Sequence, residues 1–215
     1  MIDETYEFRL PTRRFTTPRT TRLTFRTPTT TSPSIINTPA ATTLVKAEDG
    51  SYKCRDFHLT PLNDRGLKTE KLNIENEPIK LYQTGYNNRV EFVSARITAR
   101  TINRHQSGIN DAVRDFVRKM GHSTDNPGLI IHSVLGGSDH DLYNIYPKSR
   151  NPIFEDKVLS QALQIYWYVS SLKVEKQLYA KLYYSSPTAT KPDKIDYAFV
   201  FNASHCNVVT LYNIW

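Results

Sequence analysis

The stretch S-T-D-N-P-G-L-I-I-H-S-V-L-G-G-S-D-H-D-L-Y-N-I-Y-P-K-S-R-N-P-I, Ser123 to Ile153, decides how the chain is read. It holds the densest run of turn chemistry in the part that has a folded pattern. Asp125-Asn126-Pro127-Gly128 reads as a turn: Asp and Asn satisfy nearby backbone groups, Pro presets φ, and Gly tolerates most backbone conformations. The apolar run Leu129-Ile130-Ile131 follows. Then comes the pair Gly136-Gly137, where the backbone needs freedom that a side chain would deny. Asp139, His140, Asp141, Asn144 and Asn151 crowd the same span. That is more polarity than two short apolar runs need for packing alone. Asn144 reads as a residue that caps backbone groups in a turn.

Upstream, Pro78 to Tyr82 leads into a turn at Gly85 to Asn88. Val90 to Ala99 then alternates, with Val93, Ala95, Ile97 and Ala99 on one face, the mark of a half-buried strand. Asn103-Arg104-His105 breaks it. Ile109, Ala112, Val113, Phe116, Val117 and Met120 next form one stripe of a 3.6-residue period, so a helix is expected. Ser107 or Gly108 would start it, Asp111 suits its first turn, Arg118 and Lys119 its last, and Gly121 its left-handed terminator. Its outer face, Arg114, Arg118 and Lys119, reads as solvated.

Downstream, Pro152, Glu155 and Asp156 look like a helix start. Val158, Leu159, Ala162, Ile165, Tyr166 and Val169 carry a helical stripe to about Ser170. Val174, Leu178, Ala180 and Leu182 then alternate as a strand, Ser185 to Asp193 is a loop, and Ile195, Tyr197, Phe199 and Phe201 alternate again. The apolar end, Val208 to Trp215, either completes the sheet or docks on a partner. The expected fold class is α+β, an antiparallel sheet with helices on one face.

Composition sets the outer limits. The chain has 215 residues, a formal charge of +7 and a pI near 9.3, which favours an anionic partner such as nucleic acid. No run has the apolar length that spans a bilayer. The first residues, M-I-D-E-T-Y-E, do not read as a signal peptide, so a cytoplasmic or virion-associated location is expected. Cys54 and Cys206 either pair or stay free, and the expected compartment favours two free thiols.

Residues 1–43 differ from the rest. They are rich in Thr and Pro, and all six basic residues are arginines, Arg9, Arg13, Arg14, Arg19, Arg22 and Arg26. Such a segment cannot bury enough surface to offset the entropy of ordering it. It reads as an extended arm preceding a domain at 44–215. Arg13, Arg14, Arg19, Arg22 and Arg26 are candidate phosphate contacts, because the guanidinium fork matches phosphate oxygens. The arm would reach nucleic acid or a neighbouring identical subunit, giving a homo-oligomer; as a solvated linker it would do neither. Residues 44–79 give no firm reading beyond edge strands at Leu44-Val45 and Tyr52 to Cys54 and turns at Asp49-Gly50 and Asn63 to Gly66.

Asp125, Gly128, Ile130-Ile131, Leu135-Gly136-Gly137 and Asn144-Ile145-Tyr146-Pro147-Lys148 resemble a family pattern: D-x-x-G-H-[IL]-I, then L-G-G, then N-[IL]-x-P-Q. The pattern belongs to the DNA/RNA non-specific endonuclease family, of the ββα-metal (His-Me finger) fold, in a branch common among secreted bacterial toxins. The strand Val90 to Ile97, Asn103 to Gln106 and the helix after them also match, so the likeness spans roughly 80–202. It implies a ββα-metal nuclease-like core and, in an active member, Mg²⁺. Two positions depart. The family's general base is a His after the Gly, and this chain has Leu129. The family's metal-binding Asn falls on Ile153, with Asn151 close by. Leucine cannot take a proton from water, and isoleucine offers Mg²⁺ no oxygen.

The expectation is therefore a non-catalytic nuclease-fold protein that binds nucleic acid or assembles with itself, without a cofactor, as a structural or accessory, for instance viral, protein. The alternative is an active metal-dependent endonuclease with a rearranged site, for which His140 is the candidate base. His132 is set aside because strand spacing from Leu129 points it to the opposite face.

Overall fold

A computed structural model of the chain describes residues 43–47, 52–64, 66–102 and 107–214. The arginines of the arm, the Asp49-Gly50 turn, the Asn103 to Gln106 break and Trp215 lie outside the described residues. The fold is α+β, with antiparallel sheets and, among the described residues, two α-helices. No helix among them is long and apolar enough to cross a membrane.

A six-stranded antiparallel sheet forms the frame. Three strands, β4 (Lys68–Lys71), β5 (Ile79–Thr84) and β6 (Val90–Ile97), make one meander. Three more, β9 (Lys176–Tyr183), β10 (Lys194–Asn202) and β11 (His205–Tyr212), make a second. Their first and last members stay at the edges, and β6 pairs with β9 to join the two. The C-terminal strand thus completes the sheet. Everything between β6 and β9 is one excursion: α1 (Asp111–Met120), the hairpin β7 (Asn126–Leu129) and β8 (Ile145–Lys148), then α2 (Glu155–Leu172).

Both faces of the sheet are covered. Val93, Ala95, Ile97, Leu178, Ala180 and Leu182 sit on the face that meets Ala162, Ile165 and Val169 of α2. Phe92, Ala198 and Val200 point to the other face, where β1 (Leu44–Lys46), β2 (Tyr52–Cys54) and β3 (Phe57–His58) form a small sheet over them. That is why Tyr197 to Phe201 reads as an unbroken apolar run: each face of β10 has its own cover.

Several expectations need correction. Cys54 and Cys206 are not free thiols; both are fully buried and joined in a disulfide, with Cα atoms 6.0 Å apart. A bond between residues 152 apart in sequence cannot be read from their spacing; the pairing of β1–β3 under β11 creates it. Asp125-Asn126-Pro127-Gly128 is not one turn. The turn is His122 to Asp125, closed by the Asp125 amide on His122 O (3.0 Å), and Asn126 already starts β7. Pro127 is tolerated because β7 pairs on one side only, with β8.

The helix α1 begins at Asp111, later than Ser107 or Gly108, because Asn110 caps it: its Oδ1 accepts from the Val113 amide at 2.9 Å. Gly121 ends it with φ −123° rather than in the left-handed region, as the chain turns at once towards Asp125. Ala112 and Tyr166 are exposed, although the stripes place them inward. Tyr168 takes the inward role on α2, tilted against Phe201. On β9, Val174 is exposed before the strand begins, and Lys176 holds the inward position; its Nζ donates to Phe201 O at 2.6 Å. Helices do not share one sheet face either. α2 lies on the large sheet, whereas Val113 and Val117 of α1 pack on Ile145 of the hairpin.

The disulfide closes a loop of most of the folded chain, so reduction should lower unfolding free energy by about 2–4 kcal/mol. Urea titrations with and without dithiothreitol measure this; coincident midpoints would mean the bond contributes nothing.

Candidate functional site

The excursion holds every candidate of the central stretch, and one residue organises it. Asn144 is fully buried. Its Oδ1 accepts from the Ile131 amide at 2.7 Å, and its Nδ2 donates to Ile131 O at 3.0 Å and Ser138 O at 2.8 Å. Its own carbonyl accepts from Ile130 N at 2.8 Å. One side chain thus serves the backbone on both sides of a loop that has no sheet partner there. The glycine pair makes room for it. Gly136 is left-handed at φ +86°, and a Cβ on Gly137 would collide with Ile131 O.

The hairpin has two buried faces. On one, Leu129 pairs with Ile145, and both pack under α1 with Ile109, Val113, Phe116 and Val117. Leu129 is therefore partly buried, at the seam between the hairpin and α1. On the other, Gly128 faces Tyr146, and a Cβ on Gly128 would strike the tyrosine ring near Cζ. The ring lies across the space that glycine leaves.

Between that second face, α2 and the large sheet is a cleft of about 430 Å³. Leu129 reaches its edge. Lys148, Glu155, Asp156 and His132 stand around it, with Lys148 Nζ on Glu155 Oε1 at 2.7 Å. His132 does not point away, as strand spacing predicts, because β7 ends at Leu129. Its Nδ1 instead accepts from the Val134 amide at 3.1 Å, starting a short helical turn. The residue is exposed overall, yet partial desolvation of its ring at the cleft lowers its pKa below the ordinary histidine value, so it is neutral near pH 7.

His140 lies elsewhere, beside a cleft shared with Tyr82, Phe116, Lys119 and Tyr143. Its Nδ1 is 3.0 Å from Asp139 Oδ1 and 3.2 Å from Ser107 Oγ. The other ring nitrogen, Nε2, faces Asp141 Oδ2 at 3.8 Å, beyond hydrogen-bond distance, so the serine–imidazole–carboxylate geometry of a relay is not formed. Burial pushes the Asp139 carboxyl up, but hydrogen bonds from His140, the Gly108 amide and Ser107 outweigh it and hold the group below its usual value. Next to it, Tyr143 donates to Glu77 Oε2 (3.2 Å) and Asp141 Oδ2 (3.0 Å).

Ile153 is partly exposed and is fixed by its backbone, which exchanges two hydrogen bonds with Tyr212 at 2.9 and 3.1 Å. Asn151 is exposed in the same loop. Asp125 is a structural anchor: Lys191 Nζ meets Oδ1 and the His122 amide meets Oδ2, both at 2.7 Å. Among the described residues no three His, Cys, Asp or Glu are grouped to hold a metal.

Sequence reasoning missed a third feature. Arg114 and Arg118 of α1 meet Arg150, from the loop after β8, around a polar cleft of about 690 Å³ that also has Ser123, Thr124 and Asn126 on its wall. Helical period reveals the first two arginines; only the hairpin's closure brings in the third. Comparison with protein-family models, curated proteins and solved structures finds no match.

Asn144→Ala would strand the Ile131 amide and two carbonyls in the interior. At about 1–3 kcal/mol for each unmet group, we expect a loss of at least about 3 kcal/mol. Asn144→Asp keeps the acceptor but loses both donors and should cost a similar amount. Urea unfolding of the two variants tests this, and a loss under about 1 kcal/mol for both would remove Asn144 from its central place.

Proposed function

We propose that this chain is a non-catalytic nucleic-acid-binding protein built on a nuclease-like core, and that it grips phosphate through the α1 face and the N-terminal arm. The observation that carries this is the convergence of Arg114, Arg118 and Arg150 on one cleft beside hydroxyl and amide side chains. Guanidinium groups with small polar donors are the usual partners of phosphate oxygens. Arg118 also pairs with Asp115 at 3.0 Å, but both side chains are more than half exposed, so that pair is weak and yields readily. The overall charge of +7 works in the same direction.

The order strand, strand, helix of β7, β8 and α2 supports reading this region as the ββα core that the resemblance implies. Leu129 supports the absence of catalysis: where the family keeps an imidazole, this chain keeps a leucine that α1 covers. The buried disulfide supports folding in an oxidising compartment or exposure on a particle surface, in place of the cytoplasm. Self-assembly through the arm remains part of the proposal; on α2, Leu163, Tyr166 and Trp167 are exposed as well.

Binding should be tested by titrating duplex DNA and single-stranded RNA at several salt concentrations. Arg114→Gln, Arg118→Gln and Arg150→Gln combined should weaken binding regardless of sequence and flatten the log K against log salt slope by about 2–3, as three lost phosphate contacts require. Deleting residues 1–43 should flatten it further. An unchanged slope in both variants would refute phosphate contact at these sites. Incubation with plasmid and RNA in Mg²⁺ should leave both intact; EDTA-sensitive cleavage that His140→Ala abolishes would establish the rearranged nuclease instead.

A further inference from the structure

We propose that the cleft between the β7–β8 hairpin, α2 and the large sheet is a binding site for an uncharged, mainly apolar small molecule whose acceptor oxygen is held by the hydroxyls of Tyr146 and Tyr197. This does not depend on the nucleic-acid reading, whose arginines line a different cleft.

The size is right for a small molecule. The cleft holds about 430 Å³, within the roughly 300–1,000 Å³ typical of such sites. Its walls are hydrocarbon: Ile130, Leu135, Ala162, Leu178, Phe199 and Leu211.

The two tyrosines make it a built site. Tyr146 is 3% exposed and Tyr197 is 2% exposed, and both line the cleft. Neither hydroxyl has a hydrogen-bond partner among the described residues, and burial and charge, not hydrogen bonding, account for the raised pKa of each. Neither oxygen is sealed in protein; among the described residues only Ser149 Oγ is both sealed and unpartnered. The hydroxyls therefore open into the cleft. A hydroxyl with no protein partner that opens into the cleft is free to donate to an acceptor placed there. Both rings line the one cleft, so a ligand seated in it lies against both tyrosines. Both stay protonated near pH 7 and donate.

Position is fixed from behind. Gly128 lets the Tyr146 ring lie flat on the hairpin, and Tyr197 stacks on Phe199 with centroids 6.0 Å apart. Charge at the mouth selects against an anion. Lys148 is matched by Glu155, Asp156 adds a further negative charge, and His132 is neutral. A carboxylate head would meet that excess and the Glu155 field that both phenols already feel. A ketone, ester or alcohol would not.

The test uses the full-length protein and the neutral fluorophore N-phenyl-1-naphthylamine. Its emission should rise on binding, and 2-decanone should displace it at least tenfold more effectively than decane or decanoate. Tyr146→Phe and Tyr197→Phe should each weaken 2-decanone about three- to tenfold, as loss of one hydrogen bond does, and leave decane unchanged. Leu159→Trp, which fills the cleft from its half-buried rim, should abolish the signal. No emission change with the unmodified protein overturns the proposal. Equal displacement by ketone and alkane, or binding that survives Leu159→Trp, overturns it too.

Discussion

The side chain of Asn144 is the constraint on which the excursion depends. A loop between two short strands leaves backbone groups that no sheet can serve, and burying them unmet would cost several kcal/mol. Asn144 offers one acceptor and two donors in a fixed plane, and all three are used on Ile131 and Ser138. With the loop held, β7 and β8 stay in register, and α1 can cover one face of the hairpin. Without it, α1 has no fixed surface to pack on.

The hairpin is then a wall shared by two compartments. Its α1 side is closed and apolar, with Leu129 and Ile145 at the centre. Its α2 side is open and carries the tyrosine-lined cleft. An imidazole at position 129 would have to desolvate under α1, at the cost of burying a polar ring without a partner. The leucine therefore fits the packing as it stands. The arginine cleft lies beside the same wall, because Arg150 follows β8 directly. Three features of different chemistry are positioned by one rigid element.

What the sequence discloses depends on how local the physics is. The strand β6 and the core side of α1 are legible because period and side-chain type suffice; Val93, Ala95, Ile97, Val113 and Val117 are all buried where their spacing places them. The glycine pair is legible for the same reason. Phe92 is not, since alternation assigns one face to water and here a second small sheet covers it. The disulfide, the strand at Asn126 to Leu129 and the cluster at Arg150 depend on partners far along the chain. Tyr146 opposite Gly128 is legible only once the register of β7 with β8 is known. Residues 44–79 gave little because β1, β2 and β3 are too short to carry a period.

Hydrogen exchange of the Ile131 amide tests the central claim most directly. This amide lies outside regular strand or helix, where exchange is ordinarily fast, yet here it is buried and bonded to Asn144 Oδ1 at 2.7 Å. The account predicts that it exchanges only on global unfolding, with protection equal to that of the central amides of β9 and β10. Exchange through local opening, orders of magnitude faster than those amides, would show that the loop is not locked and that the hairpin is not the fixed surface on which α1 rests.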